Sequence, residues 1–423
     1  MPNNTFSFGP DSRAALVVGT SGGITIENNT HIFWMCFLSG QHGQINAPNA
    51  VQIGVGGSDS NALVLRYQPG QGDAGVAALV LLPPTNDRGT SNLTAEQSIA
   101  NYTNILTQAK KAGIKVGLLT DTPRGSVAFP GAALSGLQLE NANKVRRWVL
   151  AQDDGVNVFV EDPYPFVTDQ SSAQNYAKPG MLRDTDGLHM EPLGGYTVAK
   201  NGGVRLLQRL FPNQAYKPRS TNSDIFSASN QYGAINSNPT VKQLGTNGSP
   251  GGTGTGTIAL GWTGTNASGA SGVTRAYSFD TDGVQRCNLS GSASGTAAAI
   301  DILRQVLTVA NLSPGDSYDI YCQVEIDANH VGLSSIQCGI ESVDPIGGTL
   351  RFWDGDRYLG TTPYPPFAQQ EVGTFHMRFV VPAGITSATL RLTAYAQDAA
   401  PTVTAGVRIK CFDIGKVQPA NVF

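Results

Sequence analysis

Apolar residues in this 423-residue chain follow one period up to about Phe211 and another from about residue 273 onward. In the first stretch they fall in short unbroken runs: AALVV (14–18), VQIGV (51–55), AALVLL (77–82), IKVGLL (114–119) and VNVFV (156–160). A strand that is apolar on both sides is covered on both faces, which is the condition of a parallel sheet packed between helices. Helical patterns alternate with these runs. In TAEQSIANYTNILTQAKKAG, Ile99, Tyr102, Leu106 and Ala109 share one face, Thr94 and Gln97 have capping-box spacing, and Gly113 can end the helix. THIFWMCFL (30–38) and LENANKVRRWVL (139–150) are further helix candidates. The alternation predicts a three-layer α/β sandwich with a parallel sheet.

The later stretch alternates apolar and polar residues. SYDIYCQVEI (317–326), TFHMRFVVP (374–382), ATLRLTAYA (388–396) and GVRIKCFDI (406–414), with Gly, Pro and Asp between them, predict an antiparallel all-β sandwich. The Gly/Thr/Ser-rich segment 244–272 precedes it, and its embedded IALGW is expected to be an early strand. The expected domains are therefore 1–211 and 244–423, with 212–243 as a linker of Asn, Ser, Pro and Gln.

Composition narrows the functional classes. A hydrophobic fraction of 40% excludes global disorder, and a net charge of −3 argues against a general nucleic-acid binder. The start, MPNNTFSFGPDSRAAL, lacks the basic and apolar regions of a secretory signal, and no apolar run is long enough to span a membrane. The five cysteines match no metal-ligand spacing and are expected to be buried thiols. No cofactor or metal motif is present.

Ligands of open parallel sheets sit at the carboxyl ends of the strands. Past the proposed strands stand Gly19-Thr20-Ser21-Gly22-Gly23, Gly56-Gly57-Ser58-Asp59-Ser60, Pro83-Pro84-Thr85-Asn86-Asp87 and, later, Asp186-Gly187-Leu188-His189. A hydroxyl, backbone and side-chain amides, and a His with a carboxylate are the ingredients of acyl transfer. In order and context, VVGTS, IGVGGSDS, LLPPTND and DGLHMEPLGGY resemble the four segments of the SGNH (GDSL) hydrolases, over about residues 12–210.

That resemblance implies a flavodoxin-like fold with Ser21 as nucleophile, His189 as base and Asp186 orienting the imidazole. Ser21, Gly57 and Asn86 would then supply the oxyanion hole. The chain departs from the pattern at Thr20, where the family has Asp, and at Pro84, where it has Gly. A literal Asp11-Ser12 pair exists, but it precedes AALVV, so topology favours Ser21.

The second half resembles carbohydrate-binding jelly rolls. In RFWDGDRYLGTTPYPPF, Trp353 and Tyr358 are the candidate sugar-stacking rings, with Tyr364 and Phe367 on the same loop or edge. Together the halves resemble bacteriophage tailspike or tail-fibre proteins that deacetylate surface polysaccharide. This implies an acetylated polysaccharide as substrate, a homotrimer, and a virion or extracellular setting with no membrane insertion. Two alternatives stand beside it: a catalytically inactive receptor-binding virion protein, and a lipase or thioesterase of the same family.

Overall fold

The computed structural model describes residues 5–9, 11–13, 17–20, 23–27, 30–45, 55–67, 76–134, 136–213, 248–259, 261–266, 268–281, 283–355 and 362–416. The chain divides into two compact units, one of residues 1–17 and 28–215, the other of 18–27 and 216–423. Residues 18–27, expected in the first domain, thus belong with the second.

In chain order the first stretch contains β1 (Thr5–Gly9), β2 (Val17–Thr20), β3 (Gly23–Ile26), α1 (His31–Leu38), β4 (Gln44–Ile45), α2 (Ser60–Arg66), β5 (Ala78–Leu81), α3 (Asn86–Gly89) and α4 (Ala95–Lys111). There follow β6 (Lys115–Leu119), α5 (Leu137–Leu150), β7 (Val158–Glu161), α6 (Tyr164–Val167), α7 (Pro192–Val198) and α8 (Val204–Leu210). The first unit is built on a parallel sheet in the order β4-β1-β5-β6-β7. Counted along the sheet's own strands this is 2-1-3-4-5, the flavodoxin-like order, whose switch point lies between β1 and β5.

Two expected strands change. AALVV is not in this sheet, because Val17–Thr20 is a strand of the second unit. VQIGV lies outside the described residues except for Val55. The first strand is instead TFSFG, where Phe6 and Phe8 are buried and Ser7 is buried between them.

Helices cover both faces. On one, Leu63 of α2, Tyr102, Ile105 and Leu106 of α4, and Val145 and Val149 of α5 join Leu79, Leu81, Val116 and Leu118 in one core cluster. Thr94 caps α4 with the reciprocal bonds of a capping box, and Gly113 follows it at φ 72°. On the other face α8 lies so close to β6 that a Cβ at Gly117 would come within 2.9 Å of Leu210 Cδ1. His31–Phe37 of α1 are all buried, as a helix apolar on every side requires.

The second unit contains β8 (Gly254–Gly256), β9 (Thr263–Asn266), β10 (Val273–Phe279), β11 (Gln285–Gly291), β12 (Ala299–Val306), β13 (Ser317–Ile326), β14 (Leu333–Val343), β15 (Thr349–Asp354), β16 (Glu371–Val380), β17 (Ser387–Ala396) and β18 (Val403–Lys416). A six-stranded sheet runs β16-β13-β18-β11-β10-β8 and a seven-stranded sheet β2-β3-β15-β14-β17-β12-β9. IALGW is not itself a strand. Ile258, Ala259 and Trp262 are buried between β8 and β9, and Trp262 packs on Phe412 with ring centroids 4.8 Å apart. All five cysteines are buried, and none of them is in a disulfide.

The alternating strands bury more than their apolar face. In β13, Asp319 accepts hydrogen bonds from His376 Nε2 (3.2 Å) and Arg378 Nε (2.9 Å), and Glu325 pairs with Arg408 and Lys410. Asp354 is buried, has no cation bonded to it among the described residues, and accepts from the His376 backbone N–H at 2.7 Å. Burial pushes this carboxyl up to about 8. The folded state therefore keeps a proton that the unfolded chain releases near pH 4, and stability falls as pH rises from about 4 to about 8. Asp354→Asn removes that dependence. Its melting temperature relative to wild type is expected to be unchanged at pH 4 and higher by roughly 10 °C or more at pH 8, read by thermal unfolding.

Candidate active site

The turn after β1 carries Asp11, Ser12 and Arg13. Asp11 is fully buried and its carboxylate accepts from Arg13 N (3.0 Å), Arg13 Nε (3.1 Å), Arg13 Nη2 (2.8 Å) and Thr85 N (3.2 Å). Arg13, also buried, donates onward to Asp121 Oδ1 (2.7 Å), Thr122 Oγ1 (2.7 Å) and the Pro83 carbonyl (2.7 Å). One guanidinium thus ties together the carboxyl ends of β1, β5 and β6. Burial alone would lower its pKa, but the carboxylates of Asp11 and Asp121 outweigh that and hold it above its ordinary value. Burial pushes Asp121 up, a rise that Arg13 opposes.

Ser12, half-buried, is left facing the loop that precedes α7. His189 Nε2 lies 2.9 Å from Ser12 Oγ, and His189 Nδ1 lies 2.8 Å from Asp186 Oδ2. With Nδ1–H donated to the carboxylate, Nε2 is the acceptor for the serine hydroxyl. Asp186 is itself fixed by the backbone N–H groups of Leu188 (2.7 Å) and His189 (2.9 Å) on Oδ1. Partial burial works against its charge, but these two N–H bonds and the imidazole prevail and lower its pKa. Gly187 makes the tight turn possible, with φ 61° and a position for Cβ only 3.2 Å from the Gly125 Cα.

Two further loops reach the same serine. A Cβ built on Gly56 would stand 4.0 Å from Ser12 Cβ, which places the Gly56-Gly57 turn beside the hydroxyl. Gly57 has φ 75°, is exposed, and has nothing within 4 Å of where a Cβ would be, so its backbone is open to a ligand. Asn86, at the start of α3, donates from Nδ2 to the Ser58 carbonyl at 3.0 Å, leaving its other amide hydrogen for a ligand. The next residue holds both loops. Asp87 is fully buried and accepts from Ser60 N (2.7 Å) at the start of α2 and from Ser98 Oγ (2.6 Å) in α4.

Of the expected residues, Asp186, His189, Gly57 and Asn86 are brought to the switch point, and the serine that meets them is Ser12. Ser21 lies outside the described residues, between β2 and β3 of the second unit. The reason for preferring it fails, because Asp11-Ser12 follows the first strand of the parallel sheet. The signal was present in the Asp-Ser pair after TFSFG. An Asp therefore does stand directly before this serine, at Asp11, and Asp87 is a central acceptor.

In the second unit the side chain of Trp353 and all of Tyr358 lie outside what is described. Tyr364 and Phe367 do not form an exposed platform. They are 2% and 1% exposed and enclose His330, whose ring lies 5.5 and 5.1 Å from theirs.

No protein-family model and no curated protein sequence matches the chain. Among solved structures, the chain is similar to a GDSL-like lipase from Bacteroides thetaiotaomicron, at 15% identity and a TM-score of 0.35 over 49% of this chain and 88% of that one. A carbohydrate esterase family 3 structure from Talaromyces cellulolyticus gives 17% identity and a TM-score of 0.34 over 49% and 97%. The enzymatically active domain of tailspike protein 4 of bacteriophage CBA120 gives 14% and 0.24 over 37% and 20%.

Arg13→Met leaves the buried Asp11 and the part-buried Asp121 without their shared cation. Breaking a buried pair in this way costs about 3–5 kcal/mol. Denaturant unfolding of the variant is expected to show a loss of that size, with the fall in midpoint not explained by a change in slope.

Proposed function

We propose that the first unit is a serine esterase and that Ser12 is its nucleophile. The observation that carries this reading is the continuous series from Ser12 Oγ to His189 Nε2 (2.9 Å) and from His189 Nδ1 to Asp186 Oδ2 (2.8 Å). As an ester carbonyl reaches Ser12, His189 takes the hydroxyl proton and Oγ attacks the carbonyl carbon. Asp186 stabilises the imidazolium that forms without taking its proton. The negative oxygen of the tetrahedral adduct is met by the Ser12 and Gly57 backbone N–H groups and by Asn86 Nδ2. Collapse returns the proton from His189 to the departing alkoxide and leaves an acyl-serine. Water then repeats the sequence, releasing the acid and restoring Ser12.

The proposed substrate is an O-acetyl ester on a polysaccharide, and the proposed setting is a phage tail or another extracellular surface, with a homotrimeric assembly. A small acyl group is proposed because, among the described residues, the Gly56-Gly57 and Thr85-Asn86 turns carry no long apolar side chain. The described helices include none long and apolar enough to cross a membrane.

Ser12→Ala is expected to abolish release of 4-nitrophenol from 4-nitrophenyl acetate, whereas Ser21→Ala retains activity. The opposite pattern would return the nucleophile to Ser21 and sink the assignment. Asn86→Ala is expected to lower kcat by about 100- to 1,000-fold, the usual consequence of losing one oxyanion donor. Wild-type turnover is expected to fall as the acyl chain lengthens from acetyl to decanoyl. A rise would indicate a lipase.

A further inference from the structure

Beside the catalytic series lies a cavity lined by Asp121, Thr122, Arg124, Asn143, Arg146 and Gln174, among others. It opens at the carboxyl ends of β6 and β7. Its link to the reacting groups is direct on two sides. Arg124 Nη1 donates to the Thr85 carbonyl at 3.3 Å, one residue before Asn86, and Gly125 N donates to the Gly187 carbonyl at 2.8 Å, within the Asp186–His189 turn.

The cations at this cavity are not equivalent. Arg146 is paired with Asp162 and lies over the Tyr164 ring at 4.6 Å, so its charge is matched. Arg13 is matched by Asp11 and Asp121. Arg124, half-buried, makes its bonds to neutral oxygens: the Ala132 carbonyl (2.9 Å), the Thr85 carbonyl and, at 3.4 Å, Thr85 Oγ1. Among the described residues it has no carboxylate partner, and no bond occupies its Nη2. Burial and the nearby Arg13 both work against its charge, with Asp121 and Asp11 as the opposing influence.

Around it the lining is neutral and polar. The Asn143 and Gln174 side chains make no hydrogen bond among the described residues. Asp121 uses Oδ1 for Arg13 and Thr122 N, which leaves Oδ2 as an acceptor. A guanidinium with no carboxylate bonded to it, two idle amides and one carboxylate oxygen are the groups that a hydroxylated ring with one carboxylate would bond.

We propose that Arg124 heads a carboxylate-binding subsite and that the esterase acts on acidic glycans, with a uronic-acid-type sugar seated beside the acetylated position. This rests on the esterase reading for the identity of the reaction but not for the binding. A guanidinium takes a carboxylate through two parallel N–H bonds, a geometry that an ammonium does not reproduce.

The test has a turnover arm and a binding arm. For O-acetylated methyl glucuronide against O-acetylated methyl glucoside, kcat/KM is expected to favour the acidic sugar by at least about tenfold in wild type. Arg124→Gln is expected to bring that ratio close to one and Arg124→Lys to restore only part of it. Asn143→Asp, which adds an opposing charge without touching Thr85, is expected to lower the ratio as well. A ratio near one in wild type, or an unchanged ratio in Arg124→Gln and Asn143→Asp, overturns the proposal.

Binding of unacetylated methyl glucuronide, followed by ligand-observed NMR on the Ser12→Ala protein, needs no chemistry. Saturable binding that methyl glucoside lacks and that Arg124→Gln removes supports the subsite even if the esterase reading fails. Equal behaviour of the two sugars overturns it. Tighter binding of glucose 6-phosphate than of methyl glucuronide would assign the site to phosphate and overturn the carboxylate class.

Discussion

The buried guanidinium of Arg13 is the tie on which the candidate site depends. Three β-strand ends have to be held in register where a parallel sheet stops, and backbone pairing no longer does it there. Arg13 reaches Asp11 on its own turn, the Pro83 carbonyl after β5, and Asp121 with Thr122 after β6. Such a network is costly to desolvate and favourable only when every member is bonded. Asp11 meets that requirement by also accepting from Thr85 N, so the Asn86 loop is anchored to the Ser12 turn by the same carboxylate. The strength of the tie keeps Ser12, which contributes nothing to it, free to face His189.

A second carboxylate repeats the device one layer out. Asp87 joins the starts of α2 and α4 through Ser60 N and Ser98 Oγ, while Asn86 reaches the Ser58 carbonyl. Burial raises the pKa of Asp87, and its hydrogen bonds and Arg88 pull the other way. The residue pair Asn86-Asp87 therefore divides its labour. The amide, in the proposed role, serves a ligand, and the carboxylate fixes the loop that carries it. Pro84, just ahead, stiffens the approach to this pair by fixing its φ.

Much of this was legible in the amino-acid order, and the misreading has a physical cause. Continuous apolar runs identified β5, β6 and β7, and period two identified β13, β16, β17 and β18. TFSFG escaped because it alternates, so it reads as a half-exposed strand. In the structure Ser7 is buried with Phe6 and Phe8, and the strand is central. Missing β1 moved the sheet's start to AALVV and carried the candidate nucleophile with it to Ser21. Asp186 and His189 were recoverable because both lie on one turn, where spacing alone sets their geometry. The role of Arg13 was not, since its partners are up to 109 positions away. Likewise, the aromatics at 364 and 367 carry no sequence mark that separates a surface platform from a core plug around His330.

Charge is sorted across the site in a way that suits the proposed chemistry. On the imidazole side stands Asp186, ionised and held by backbone N–H groups, so the positive charge that His189 acquires finds a fixed negative neighbour. On the opposite side, where an ester oxygen would become negative, the donors are neutral: the Gly57 backbone and the Asn86 amide. Arg124 adds a positive charge behind the Asn86 loop, through Thr85. Neutral donors that are already oriented need no reorganisation when charge develops, and a cation one residue away adds field without collapsing onto the oxygen. Arg13 does not serve in that role, because its N–H groups are taken by Asp11, Asp121, Thr122 and Pro83. Arg13 thus spends its donors on building the site, whereas Arg124 keeps Nη2 for the cavity, and the proposed subsite rests on that difference.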